Sequence, residues 1–269
     1  MKNSPVSESV SVRVLALFLL CLSGSWTMAV TADPESGLAS EIAELKQGQE
    51  AIRKDLAELK RLLEERPGSQ PSAPGFQAKN LEIGDSPVMG EEQAPVVLFS
   101  YSDYQCPYCR RHATTVMRQL ESNYVDSGQL RIVFREYPIP SLHPRATAAS
   151  IAAICAGRQN AYRAMHDRLF TDQKAMSDEV FARYAGELGL DEQAFGQCVS
   201  NKEVNDLVQA DIREGQSLGV TGTPSFVIGL ADPDNPDAVH VTRFIRGAQP
   251  YTAFQNAIEE QLRKSKDAD

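Results

Sequence analysis

Positive charge is scarce in this chain: 27 Lys and Arg stand against 36 Asp and Glu, a formal net charge of −9. An acidic surface is repelled by nucleic acid and by anionic membranes, so neither is expected as a partner. After residue 30 there is no apolar run long enough to cross a bilayer. Histidine is also thin, with His112, His143, His166 and His240 scattered along the chain, and no internal repeat is visible. Cysteine is sparse as well, at positions 21, 106, 109, 155 and 198. With 269 residues and 42% apolar content, the chain has room for one large domain plus an appendage.

The first 32 residues read as a secretory signal. Lys2 and Arg13 precede Val14–Leu22, a run of nine residues without a polar side chain, and small residues follow at Ala29 and Ala32. Cleavage after Ala32 or Ala29 is expected. The alternatives are a retained anchor, the run extending through Trp26 to Val30, and a lipoprotein attached at Cys21, where Leu20 is bulkier than a lipid-attachment signal wants. Cleavage removes Cys21 and leaves four cysteines. An even number in an exported chain points to disulfide chemistry, with three possible pairings.

Residues 37–66 carry apolar side chains at Leu38, Ile42, Leu45, Ile52, Leu56, Leu59 and Leu63, with Gln49 interrupting. The spacing alternates four and three, a 3.5-residue period that predicts a coiled-coil helix. An amphipathic helix lying on its own domain is the alternative. The stripe is narrow, however, and the Pro/Gly/Ser-rich stretch 67–83 follows it as a tether, so self-association into a homo-oligomer is expected. The order of that oligomer stays open.

Residues 84–269 form the working domain, of α/β class. A buried strand is predicted at 96–102 and a helix from Pro107 to Asp126. A second, parallel strand is predicted within 130–138. Helices fill 144–218, with breaks near Gly157, Thr171 to Ser177, Gly189 and Ser200. Two strands, "SFVIG" and "AVHVTRFIRG", and a closing helix from Tyr251 complete the pattern.

Between the first strand and its helix stands "SDYQCPYCRRH", Ser102 to His112. A zinc site needs four ligands, and beyond Cys106, Cys109 and His112 no fourth lies at suitable spacing, so no metal is expected. A c-type haem needs histidine directly after the second cysteine, where Arg110 stands. A structural staple is poor, because so small a loop removes little chain entropy. The redox reading uses every neighbour. Cys106 lies just before a helix N-terminus, where unpaired N–H groups and the dipole favour a thiolate, and Arg110 and Arg111 add positive potential. Cys109, one turn deeper, suits the resolving role. Downstream, "GVTGTPSFVIG" places Pro224 at the start of a strand. Thr223–Pro224 suits a cis bond packed against the cysteines, and an ordinary trans proline opening a strand is the alternative.

The stretch from Gly84 to Lys264 resembles the DsbA-like branch of the thioredoxin superfamily, through "GDSPVMGEEQAPVVLFSYSDYQCPYCRR", "REYPIPSLHPRATAASIAAICA" and "GVTGTPSFVIG". The resemblance implies a thioredoxin fold with a helical domain inserted at about 144–218. It implies Cys106 as nucleophile, Cys109 as resolving thiol, Pro224 as cis-proline and Thr223 as the backbone that pairs with an extended substrate. Pro107 and Tyr108 sit between the cysteines, Tyr108 helping to set the redox poise, and no cofactor is implied. One departure stands out. Where many relatives carry a buried acid six residues before the first cysteine, this chain has Ser100. Asp103 is expected on the rim of the site, which leaves proton transfer from Cys109 to water. Tyr104, Ile139 and Leu142 are open to two readings, a client groove or ordinary packing.

Cys155 and Cys198 fall on two helices of the insertion. In an oxidising compartment a bridge between them closes a loop of about 40 residues, worth on the order of 4 kcal/mol in the chain-entropy model; two buried thiols are the alternative. The oligomerisation helix is similar to the N-terminal regions of DsbC and DsbG. The resemblance therefore implies a protein disulfide isomerase or reductase of the periplasm of a Gram-negative bacterium. The alternatives are a DsbA-type oxidase, or an envelope chaperone or scaffold. Implied partners are cysteine-containing exported proteins and a membrane recycling protein of DsbB or DsbD type.

Overall fold

A computed structural model describes residues 34–64 and 76–268, and the expected signal segment lies outside them. The chain divides into two units, Met1–Pro67 and Gly68–Asp269. The described part of the first unit is one helix, α1 (Pro34–Glu64). Its Ile42, Leu45, Ile52 and Leu56 are all exposed.

The second unit is built on a six-stranded sheet: β1 (Lys79–Glu82), β2 (Val88–Met89), β3 (Val96–Ser102), β4 (Leu130–Glu136), β5 (Ser225–Ala231) and β6 (Ala238–Arg246), in the order β1-β6-β5-β3-β4-β2. Only β3 and β4 run parallel; the other pairs are antiparallel. β3 is flanked on both sides by strands and covered on both faces, which is why its residues Val96 to Tyr101 are almost all apolar and all buried. Alternation sorts β3 between two cores. Val96 and Leu98 join Ile132, Phe226, Phe254 and the helical block on one face, while Val97, Phe99 and Tyr101 join Tyr137, Leu218 and Val220 on the other.

Helices α2 (Pro107–Thr114) and α3 (Val116–Leu120) cross from β3 to β4, and a π-turn (Glu121–Val125) ends the crossover. The sequence reading expected one unbroken helix to Asp126. The break falls at Thr115, where φ is −123° and ψ −72° and the hydroxyl donates to the Arg111 carbonyl at 2.6 Å. Thr114 does the same to Arg110, and such back-bonding bends helices.

The insertion comprises α4 (Ala146–Gly157), α5 (Tyr162–Thr171), α6 (Asp178–Glu187), α7 (Glu192–Val199) and α8 (Lys202–Ser217), and α9 (Tyr251–Ala268) closes the chain. The helix starts follow from capping: the side chains of Ser177, Asp191 and Asn201 accept backbone N–H groups at the N-termini of α6, α7 and α8. Cys155 on α4 and Cys198 on α7 form a disulfide across 43 positions.

Two edge strands went unread in the sequence. The expected tether ran to residue 83, yet β1 occupies 79–82 and pairs with β6, because Leu81 and Ile83 bury their side chains in the second core. A register shift at Ile228/Gly229 lets β6 pass closely; a Cβ at Gly229 would lie 2.0 Å from the His240 carbonyl oxygen.

Candidate active site

β3 runs out at Ser102, and the chain turns through Asp103, Tyr104 and Gln105 into α2. Cys106 is the N-cap of α2, with φ −71° and ψ 122°, and Pro107 takes a first-turn position, where its missing N–H costs nothing. The Cys106 carbonyl accepts the Arg110 N–H at 3.1 Å, and the thiol of Cys106 donates to the Thr223 carbonyl at 3.4 Å. The Thr223–Pro224 bond is cis. The loop before β5 thus brings Thr223 and Pro224 to the start of α2, from more than a hundred positions away in sequence.

The two thiols differ sharply. Cys106 is lowered to about 6, first by the hydrogen bond from the Cys109 thiol, against desolvation, and then by the Cys109 N–H, the Thr223 side chain and the Tyr108 N–H. Burial pushes Cys109 well above the ordinary thiol range, and the neighbouring Cys106 sulfur pushes it further. The two shifts run in opposite directions, toward the thiolate at Cys106 and toward the thiol at Cys109. Tyr108 projects outward, with the Arg111 guanidinium 5.3 Å from its ring centroid, and Arg111 donates to the Ala248 carbonyl at 3.2 Å. From the insertion, Gln173 donates to the carbonyls of Tyr104 at 2.7 Å and Cys106 at 2.9 Å, tying the helical block to the turn of Cys106.

Three placements differ from the sequence reading or go beyond it. Asp103 is not on the rim: its relative exposure is 0%, because the chain after β4 folds back over it. Glu136, which the sequence reading passed over, is 3% exposed at the end of β4. It stands opposite Ser102 in the β3–β4 ladder and accepts from the Tyr162 hydroxyl at 2.8 Å and the Tyr104 hydroxyl at 3.3 Å. Burial lifts its pKa to about 8. Glu136 is the one acid in β4, at its end, and that was the signal available for it. His112 is buried between Phe226 and Phe254, with ring centroids 4.4 and 5.0 Å away, and desolvation lowers it to about 3, so it packs as a neutral ring. Ser100 is buried opposite Phe134 and Phe226. Tyr104 packs on Phe170 and belongs to the core, Ile139 is half-buried, and Leu142 is 70% exposed.

The family described as Thioredoxin matches residues 82–246. The sodium/proton antiporter NhaA 3 of Salinispora tropica is 33% identical over 141 residues, which are 52% of this chain and 21% of the antiporter. This chain therefore spans about a fifth of that relative's length. The probable disulfide bond formation protein D of Bacillus anthracis is 25% identical over 185 residues, covering 65% of this chain and 78% of that protein. The crystal structure of alpha-DsbA1 from Wolbachia pipientis superposes with a TM-score of 0.60 at 22% identity, covering 69% of this chain and 94% of that one. That likeness fixes the fold, helical insertion included.

Proposed function

Because this chain belongs to the thioredoxin family and carries the DsbA-like insertion of a helical block, we propose that it is a thiol:disulfide oxidoreductase acting on exported proteins, with isomerase or reductase character. The observation that carries this reading is the pairing of a thiol lowered to about 6 at a helix start with a buried, raised thiol one turn on, both beside the Thr223 carbonyl.

In the reducing direction the Cys106 thiolate attacks a client S–S bond, forming a mixed disulfide and releasing one client thiolate. Cys109 then loses its proton and attacks the Cys106 sulfur, which releases the second client thiol and leaves Cys106–Cys109 oxidised. Isomerisation is the same first step followed by attack of another client thiol on the mixed disulfide. The Thr223 backbone supports this by offering polar groups to an extended client segment. The exposed Ile42, Leu45, Ile52 and Leu56 of α1 support self-association through residues 37–66, which would face several such sites toward one client. Recycling falls to a membrane protein of DsbB or DsbD type, and the compartment is the periplasm. Among the described residues no helix is long and apolar enough to cross a membrane.

The second reading is a DsbA-type oxidase. It is favoured by the name of the Bacillus relative and by the stabilised Cys106 thiolate, since stabilising the reduced form makes the disulfide a stronger oxidant. Deleting residues 37–66 separates the two. The shortened chain is expected to sediment as a monomer and to lose refolding of scrambled substrate, while still reducing insulin. Scrambled-substrate refolding that survives in the monomer would remove the reason for preferring an isomerase.

A further inference from the structure

The Asp103 carboxylate is saturated with donors. Oδ1 accepts the Gln105 N–H at 2.8 Å and the Cys106 N–H at 3.2 Å. Oδ2 accepts the Ile139 N–H at 2.8 Å and faces Nδ1 of His143 at 2.9 Å. One buried side chain therefore holds the nucleophile's own backbone and the loop between β4 and α4 together. The same loop is tied a second time, by the Arg145 N–H donating to Gln105 Oε1 at 2.6 Å. His143, whose side chain is 21% exposed, faces Asp103 through Nδ1. A buried carboxylate is costly unless it is paired and hydrogen-bonded, and here it is both.

We propose that Asp103, braced by His143, is a positioning residue for disulfide exchange: it locks the turn of Cys106 so that the sulfur stays within reach of the donors at the start of α2. This rests on the exchange reading above. Asp103 does not touch the sulfur. Cys106 owes its lowered range first to the Cys109 thiol, then to the Cys109 N–H, the Thr223 side chain and the Tyr108 N–H, and where the sulfur stands toward each is set by how the turn before Pro107 is held. The negative charge of Asp103 acts in the opposite direction, disfavouring a nearby thiolate. Its field is spent on four donors, so loosening the turn outweighs removing the charge.

The test is the pH dependence of iodoacetamide labelling at Cys106, resolved from Cys109 by mass spectrometry, in variants whose folding is checked by thermal melting. Asp103→Ala is expected to raise the labelling midpoint by about one pH unit, or about tenfold less thiolate below the midpoint. Asp103→Asn keeps an oxygen for the Gln105 and Cys106 N–H groups and is expected to shift it less than half as far. His143→Phe is expected to shift it upward in the native background and to add nothing to Asp103→Ala. If Asp103→Ala does not fold, Asp103→Asn and His143→Phe decide. An unchanged midpoint in folded variants assigns Asp103 to stability alone and overturns the proposal. A lowered midpoint overturns it too, since charge rather than position would then be at work. Failure of the exchange reading looks different, because it would appear in the native protein as a midpoint in the ordinary thiol range.

Discussion

Cys106→Ser is expected to reduce insulin-disulfide cleavage and scrambled-substrate refolding to the uncatalysed rate. Serine fills the same space at the N-cap of α2, but its hydroxyl is not ionised at neutral pH. The helix-start N–H groups that stabilise a thiolate then have no anion to act on. Cys109→Ser fails differently. Cys106 still captures a client sulfur, but the buried group that should displace it is gone, so turnover stops while a mixed disulfide accumulates toward one client per chain. Non-reducing gels of the two variants with a disulfide-bonded client separate the roles: adduct with Cys109→Ser, none with Cys106→Ser. The same pair tests the chaperone alternative, which requires Cys106→Ser to protect a client from aggregation as well as the native protein does.

The second large effect belongs to Glu136, and it is one of stability. Its carboxyl has a folded pKa of about 8 against an ordinary 4.5, because burial disfavours the charge. Below about pH 4.5 the group is protonated folded or unfolded, and its contribution is fully present. Between about 4.5 and 8 the folded chain keeps a proton that the unfolded chain has released, so stability falls as pH rises, and the loss is complete once pH has passed through the folded value. The full span is on the order of 5 kcal/mol. Glu136→Gln keeps an acceptor for Tyr104 and Tyr162 but carries no charge. It is expected to move the urea midpoint upward at pH 8.5 relative to the native protein and much less at pH 5. Asp211, also lifted by burial, to about 6, adds its own slope at lower pH, and its charge is one cause of the Glu136 shift, so the comparison is read at pH 8.5, above both folded values. A difference independent of pH would mean that Glu136 is ionised in the fold.

What the sequence made legible was set by local, repeating signals. The apolar run 96–102, the breaks near Gly157, Thr171 to Ser177, Gly189 and Ser200, and the pattern of the last two strands each mark an element or its end within a few residues. Cys106 and Cys109 could be placed between a strand and a helix. The misses share a cause, since each depends on what distant residues do. Asp103 looks like a rim acid until the loop at Ile139–His143 folds over it. Lys79–Glu82 looks like tether until β6 offers it a ladder, and four residues are too few to show alternation. Glu136 gains its environment only when Tyr104 and Tyr162, from two different segments, close on it. The interruption at Thr115 reflects hydroxyl groups competing for helix carbonyls, which a tally of apolar spacing does not register.

The most direct measurement is the site-resolved alkylation rate of the fully reduced native chain across pH 4 to 10. The expected result is a Cys106 midpoint near 6 with Cys109 untouched through neutrality. A Cys106 midpoint near an ordinary thiol value of about 8.5, or labelling of Cys109 ahead of it, would contradict the assignment of nucleophile and resolving thiol.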